Sequence, residues 1–154
     1  MKIYLVQHGE AEPKSVDPAR PLTARGREEV ERAAAFAARL GVAVHQIRHS
    51  GKMRAEQTAE SLGRALDPPG GVVAVPGMDP RDDVRPVAEA LEREEQPVML
   101  VGHLPFLARL AGRLLVGDEE RTPVEFRYAG IVCLSYEEGR WRVAWAATPE
   151  MADL

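Results

Sequence analysis

The stretch K-I-Y-L-V-Q-H-G-E, residues 2–10, decides how this chain is read. Residues 2–6 form a short β-rich run that breaks off at a polar pair and a glycine. That is the pattern of a strand buried on both faces and ended by a turn. A second such segment lies far downstream. P-V-M-L-V-G-H, residues 97–103, is the most apolar run of the chain, with proline at its entrance and His103 at its exit. Strands buried on both faces belong to a parallel sheet covered by helices on either side.

The intervening sequence supplies those helices. After a polar loop, Leu22, Val30, Ala33, Ala34, Ala37 and Leu40 recur at helical spacing, with Thr23 placed to cap the helix and Gly41 to end it. V-A-V-H-Q-I-R-H-S (42–50) is a weaker strand. Thr58, Ala59, Leu62, Ala65 and Leu66 mark a second helix after Ser50, stopped by D-P-P-G-G (67–71). V-V-A-V (72–75) is a short strand, and Val84, Val87, Ala88 and Leu91 mark a third helix. A fourth helix opens at L-P-F with Pro105 in its first turn, and Leu104, Leu107, Ala108, Ala111, Leu114 and Leu115 on its inner side. The end changes character: G-I-V-C-L-S-Y, E-E-G and R-W-R-V-A-W-A read as a β-hairpin. The expected fold is α/β, a three-layer αβα sandwich with a mostly parallel central sheet and an antiparallel part at the C-terminal end. Residues 1–154 are expected to form one domain.

Composition narrows the function. The 154 residues are 45% hydrophobic and 29% charged, with a formal net charge of −4. Such a chain buries a substantial core, and its charge argues against nucleic-acid binding driven by bulk electrostatics. Lys2, Lys14 and Lys52 are the only lysines; every other basic side chain is arginine, the better bidentate partner for anions. For most of these arginines a compositional bias is explanation enough. Cys133 stands alone in an apolar run, which excludes a disulfide framework or a cysteine-rich zinc site and reads as a buried small hydrophobe. The apolar run after Met1 is too short for a signal peptide, and no stretch approaches the roughly 18 apolar residues of a membrane span. The expectation is a soluble, cytoplasmic protein with no membrane or nucleic-acid partner, as a monomer or small homo-oligomer.

In open α/β sheets ligands bind beyond the carboxyl ends of the strands. His8 and His103 both fall there, each beside a glycine, Gly9 and Gly102, which lets a ligand approach the backbone. Either histidine alone is at home in a core or on a surface; two at equivalent strand ends point to a shared site. A metal centre would need further ligands, from Glu10, Asp79, Asp82 or Asp83, and no H-E-x-x-H pattern is present. The other chemistry open to the pair is covalent, a neutral imidazole attacking an electrophile. Arginine favours a phosphoryl electrophile. Arg54 lies in the first turn of the second helix, where its guanidinium joins free amides around an anion, and Arg20 sits in a loop able to swing in. Taken alone, each of these arginines is equally explained as a solvated or ion-paired side chain.

Four segments now stand in order: I-Y-L-V-Q-H-G-E at 3–10, R-P-L-T-A-R-G at 20–26, S-G-K-M-R-A-E-Q-T-A at 50–59 and V-M-L-V-G-H-L-P at 98–105. With them the chain resembles, over nearly its whole length, the histidine phosphatase superfamily of phosphoglycerate mutase-like fold, and within it the small SixA-type phosphohistidine phosphatases. The resemblance implies His8 as the nucleophile that becomes phosphohistidine, Arg54 as phosphate ligand and His103 as the second pocket histidine. Gln7, Gly9 and Arg20 would complete the phosphate site. It implies no metal or cofactor, and as partner a phosphorylated protein, such as a phosphohistidine domain, or a small phosphorylated molecule. Two departures stand out. Gln7 replaces the first arginine of the family's R-H-G triplet, and no glutamate follows the third strand, where Asp79 is the nearest acid. Arg48 and His49, beside the same strand end, are candidates to compensate for Gln7. Glu10 is a candidate acid, its alternatives being loop solvation or a pair with Arg20. The expected activity is phosphatase action through a phosphohistidine intermediate, on phosphohistidine of a signalling protein. The alternatives are a small-metabolite phosphatase of the same superfamily and a phosphate- or phosphoprotein-binding module weakened by Gln7.

Overall fold

A computed structural model describes residues 1–153. Six strands form one sheet in the order β3-β2-β4-β1-β5-β6, where β1 is Lys2–Gln7, β2 Gln46–His49, β3 Val72–Ala74, β4 Val98–Gly102, β5 Ile131–Glu137 and β6 Arg140–Ala147. The first four strands run parallel; β5 pairs antiparallel with β1, and β6 antiparallel with β5. Four helices cover it: α1 (Ala24–Arg39) and α2 (Met53–Leu66) pack together, as do α3 (Arg85–Glu92) and α4 (Phe106–Val116). Side chains alternate along β1. Ile3 and Leu5 enter the core that α3 and α4 close, while Tyr4 and Val6 enter the one that α1 and α2 close. The three-layer arrangement follows from that alternation, since a strand with both faces apolar needs a helical layer on each.

The caps match the sequence signals. Thr23 accepts the Gly26 amide at the start of α1, and Gly41 follows its end at φ 75°. The hairpin turns at Glu138-Gly139, both left-handed at φ 53° and 75°, the backbone that suits a two-residue connection between twisted strands. Three expectations change. The strand expected over 42–50 is ordered as β only at Gln46–His49, because Val42 and Val44 are spent on the core under α1. Pro105 caps α4 rather than entering it, so Leu104 lies outside the helix, 41% exposed. Phe106 and Leu110, fully buried, take the inner side instead. Cys133 is buried, beside the Tyr4 hydroxyl. Among the described residues no helix is long and apolar enough to cross a membrane.

Candidate active site

The site follows from the register of two adjacent strands. Gln7 is paired with Gly102, so the residues that leave β1 and β4, His8 and His103, emerge side by side. The His8 amide still bonds the Gly102 carbonyl at 3.0 Å, and the two imidazole centroids lie 5.1 Å apart. Both rings are buried, at 6% and 1% exposure.

The His8 ring is oriented by its own chain. Nδ1 lies 2.7 Å from the Gly9 carbonyl oxygen, which can only accept, so Nδ1 carries the proton of the neutral ring and Nε2 keeps its lone pair. Burial pushes the His8 pKa down to about 4, with the charges of Arg54 and Arg20 acting in the same direction against the bond to Gly9. His103 is pushed down to about 3, by burial first and then by the proximity of His8, Arg54, Lys52 and Arg20. Its Nε2 sits 2.6 Å from Ser50 Oγ. The serine oxygen also accepts the Lys52 amide, and when its own proton is given to Nε2 the imidazole proton resides on Nδ1.

Gly9 is required where it stands. A Cβ there would come within 2.6 Å of Val30 Cγ2, and the glycine amide donates to Thr58 Oγ1 at 3.0 Å. That hydroxyl in turn donates to the Arg54 carbonyl, tying the turn after β1 to the first turn of α2. Gln57 Oε1 accepts the Leu22 amide and fastens the 20–22 loop to the same helix. Gly102 is different: a Cβ there would meet Leu107 and Met78 at 3.6 Å, ordinary contact within the core, so ligand approach does not explain it.

Arg20 and Arg54 both line a cavity of about 640 Å³, with Lys14, Lys52, Arg81 and the carboxylates Asp79 and Asp82. Arg20 is held in the left-handed region at φ 52°, a conformation a side chain of this size occupies only when its surroundings impose it. Its Nε is spent on the Glu12 carbonyl at 3.0 Å, which fixes the guanidinium while leaving its terminal nitrogens. Arg54 has its pKa lowered by burial and by Arg20, with Asp79 opposing. Two neighbouring guanidiniums are a local excess of charge that an anion relieves.

The orphaned polar atoms gather in the same place. Among the described residues four buried side-chain atoms lack any partner, and three of them are Gln7 Oε1, Arg54 Nε and His103 Nδ1. Buried polar groups without partners are costly, so their concentration at one strand end marks a ligand position. Gln7 Oε1 is an acceptor and cannot serve an anion; the amide contributes only by presenting its nitrogen.

The remaining candidates have other occupations. Glu10 Oε1 accepts the Thr23 hydroxyl at 2.8 Å, and Arg20 bonds Glu12 rather than Glu10. The Glu10 carboxylate therefore belongs to the start of α1. His49 is buried and accepts the Gly51 amide on Nδ1, and Arg48 pairs with Glu94, so neither compensates for Gln7. Asp83 pairs with Arg85. No group of three His, Cys, Asp or Glu able to hold a metal ion occurs among the described residues. Sequence reasoning missed Ser50, Thr58 and Tyr128, whose ring lies 5.7 Å from that of His8. Ser50 and Thr58 were visible in S-G-K-M-R-A-E-Q-T-A, Thr58 one helical turn after Arg54. Tyr128 carried no local signal.

The buried histidines make stability depend on pH. Each is neutral in the fold, while in the unfolded chain it titrates near 6.5. Above that value both states are neutral and nothing is lost. As pH falls below it the unfolded chain takes up protons first, so stability declines from about 6.5 down to about 4 for His8 and about 3 for His103. His49, lowered mainly by burial, acts in the same sense. We expect Tm to fall by on the order of 10 °C between pH 7 and pH 4, and the slope to flatten in His8→Asn and His103→Gln. Parallel Tm–pH curves for all three proteins would contradict the assignment.

The model of the histidine phosphatase superfamily (branch 1) matches residues 3–82. The phosphohistidine phosphatase SixA of Escherichia coli strain K12 is 30% identical, over 97% of this chain and 94% of its own length. A solved structure of the protein histidine phosphatase SixA, complexed with tungstate, superposes with a TM-score of 0.86 at 29% identity, covering 98% of this chain and 99% of that one. The fold alone extends to a phosphoserine phosphatase of Entamoeba histolytica, with a TM-score of 0.71 at 15% identity, covering 97% and 98%. A family model that spans more than half of the sequence, joined by a relative aligned along nearly all of it, places this chain in the histidine phosphatase superfamily.

Proposed function

We propose that this histidine phosphatase removes the phosphoryl group from phosphohistidine on a protein, through a covalent intermediate on His8 Nε2. The observation that carries the reading is the His8 ring itself, neutral, locked by Gly9 with its lone pair on Nε2, and set beside unsatisfied donors of Arg54 and His103. The lone pair attacks phosphorus in line as the P–N bond of the substrate breaks, and the substrate imidazole, already protonated on its other nitrogen, leaves as the neutral ring with the electron pair. Water then attacks the His8 phosphoramidate, releasing inorganic phosphate and restoring the free ring. Arg54, Arg20 and His103 Nδ1–H hold the equatorial oxygens, over which the charge of the transferring group is spread. Gly9 lets the turn close, and Ser50 holds His103.

Three observations support phosphohistidine over a phosphomonoester. The relative and the solved neighbour are named for that substrate, and the neighbour holds tungstate, a tetrahedral oxyanion of phosphate shape. Glu10 is engaged with Thr23, and an imidazole leaving group makes little demand on a general acid. The cavity is open and flanked by exposed charged side chains, as a protein surface needs. The test is phosphate release from a phosphohistidine-bearing domain and from a panel of small phosphomonoesters. The reading requires the domain to be the better substrate by kcat/KM. Preference for a monoester would move the chain to the small-metabolite class, and phosphate binding with no turnover on any substrate would make it a binding module.

Gln7 tunes this site. It lies in β1 opposite Gly102, 8% exposed, where a guanidinium would supply charge and a fork of donors. A charge-assisted bond exceeds a neutral one by roughly 1–3 kcal/mol. We therefore expect Gln7→Arg to raise kcat/KM or phosphate affinity about tenfold to hundredfold. Unchanged kinetics and phosphate binding would remove Gln7 from the site.

A further inference from the structure

A second charged cleft of about 480 Å³ opens between the 81–85 segment and α4, lined by Arg81, Asp83, Arg85, Arg109, Arg113 and Glu119. Two of its arginines are neutralised locally, Arg85 by Asp83 at 2.8 Å and Arg109 by Glu119 at 2.7 Å. Arg81 and Arg113 are exposed and have no carboxylate partner among the described residues. Arg81 also lines the cavity that Arg20 and Arg54 line, so the two depressions adjoin. Together they present eight cations, Lys14, Lys52 and six arginines, against four carboxylates. This face is net positive by four on a chain whose net charge is −4, so the remainder of the molecule is strongly negative.

A phosphoryl site needs cations within reach of its oxygens. Arg85, Arg109 and Arg113 lie beyond that site, on α3 and α4, and the reaction does not use them. Cations that extend a positive site across the surface act on the body of a large substrate, steering it and holding it by complementary charge. We propose that the Arg81–Arg113 cleft docks an acidic strip on the surface of the protein that carries the phosphohistidine. Asp83 and Glu119 hold the Arg85 and Arg109 side chains in place, and Arg81 and Arg113 supply the free charge.

The proposal rests on the protein-phosphatase reading, and the test separates the two. The double variant Arg85→Glu, Arg113→Glu alters two exposed side chains outside the phosphoryl site, and unchanged Tm and circular dichroism confirm folding. Its kcat/KM is compared with that of the natural protein on a phosphohistidine domain of acidic surface and on free phosphohistidine, at low and high salt. The expected result is a loss of at least tenfold on the domain at low salt, carried by KM. Free phosphohistidine is unchanged within twofold, and the salt dependence on the domain is shallower. Equal losses on both substrates, or no loss on the domain, would overturn the docking site. If the natural protein releases phosphate from neither substrate, the phosphatase reading fails. Docking is then decided by titrating the fluorescently labelled acidic domain: a Kd weakened by the double variant supports it, and an unchanged Kd overturns it.

Discussion

Replacing His8 by alanine should lower kcat/KM on phosphohistidine by at least about 10³-fold while leaving phosphate binding within a few-fold of the natural protein. The two halves of that expectation belong together. In the proposed reaction His8 supplies the bond to phosphorus, through an Nε2 that Gly9 leaves unprotonated. His103 is the nearest ring, but its Nε2 is committed to Ser50. The groups proposed to hold the anion, Arg20, Arg54 and the His103 Nδ1–H, survive the substitution, and the loss of ring volume leaves them room. A variant that binds and does not turn over identifies His8 as the attacking group. A residual rate within tenfold would mean that water attacks the substrate directly and that His8 is a wall of the pocket.

Arg54→Ala should fail differently. Among the described residues its guanidinium is the one cation whose buried Nε has no partner, and it stands next to Arg20. Loss of a charged donor aimed at transferring oxygens costs roughly 10²–10³-fold in kcat/KM. Lysine should recover only part of it, because a point charge lacks the planar fork. Two further readouts separate this role from a general structural one. In the empty site Arg54 and Arg20 repel, so the alanine variant should be as stable as the natural protein or slightly more so, and should lose the rise in Tm that phosphate produces. The Arg54 charge also helps to hold the His8 pKa down, so its removal should move that pKa upward toward the ordinary value, visible as a shifted histidine titration in NMR. A variant that is destabilised yet keeps its phosphate-induced Tm rise would assign Arg54 to packing.

The layered fold was legible because burial on both faces leaves a mark. A continuous apolar run such as V-M-L-V can only be satisfied between two helical layers, and the hairpin announced itself through the E-E-G turn. His8, His103 and Arg54 were legible for a related reason: each sits at an element boundary that the sequence marks, a strand exit or the first turn of a helix. Other features depended on facts a linear pattern does not carry. Whether Glu10 reaches the pocket is a question of rotamer, decided by the Thr23 hydroxyl. Whether Arg48 and His49 reach it depends on which neighbours claim them first, here Glu94 and the Gly51 amide. Tyr128 arrives beside His8 only because the chain before β5 forms a bridge to Gln7. Leu104 was misplaced because Pro105 takes the capping position, so the helix begins only at Phe106.

The most direct test of the covalent account is a rapid-quench experiment. The full chain is mixed with a phosphohistidine domain carrying labelled phosphorus and stopped in alkali, where phosphohistidine survives. The account predicts label on the enzyme that rises and decays within one turnover, is confined to His8 and is attached to Nε2, because Nδ1 is bonded to the Gly9 carbonyl. Turnover with no labelled enzyme at any time, or label on Nδ1 or on another residue, would contradict it.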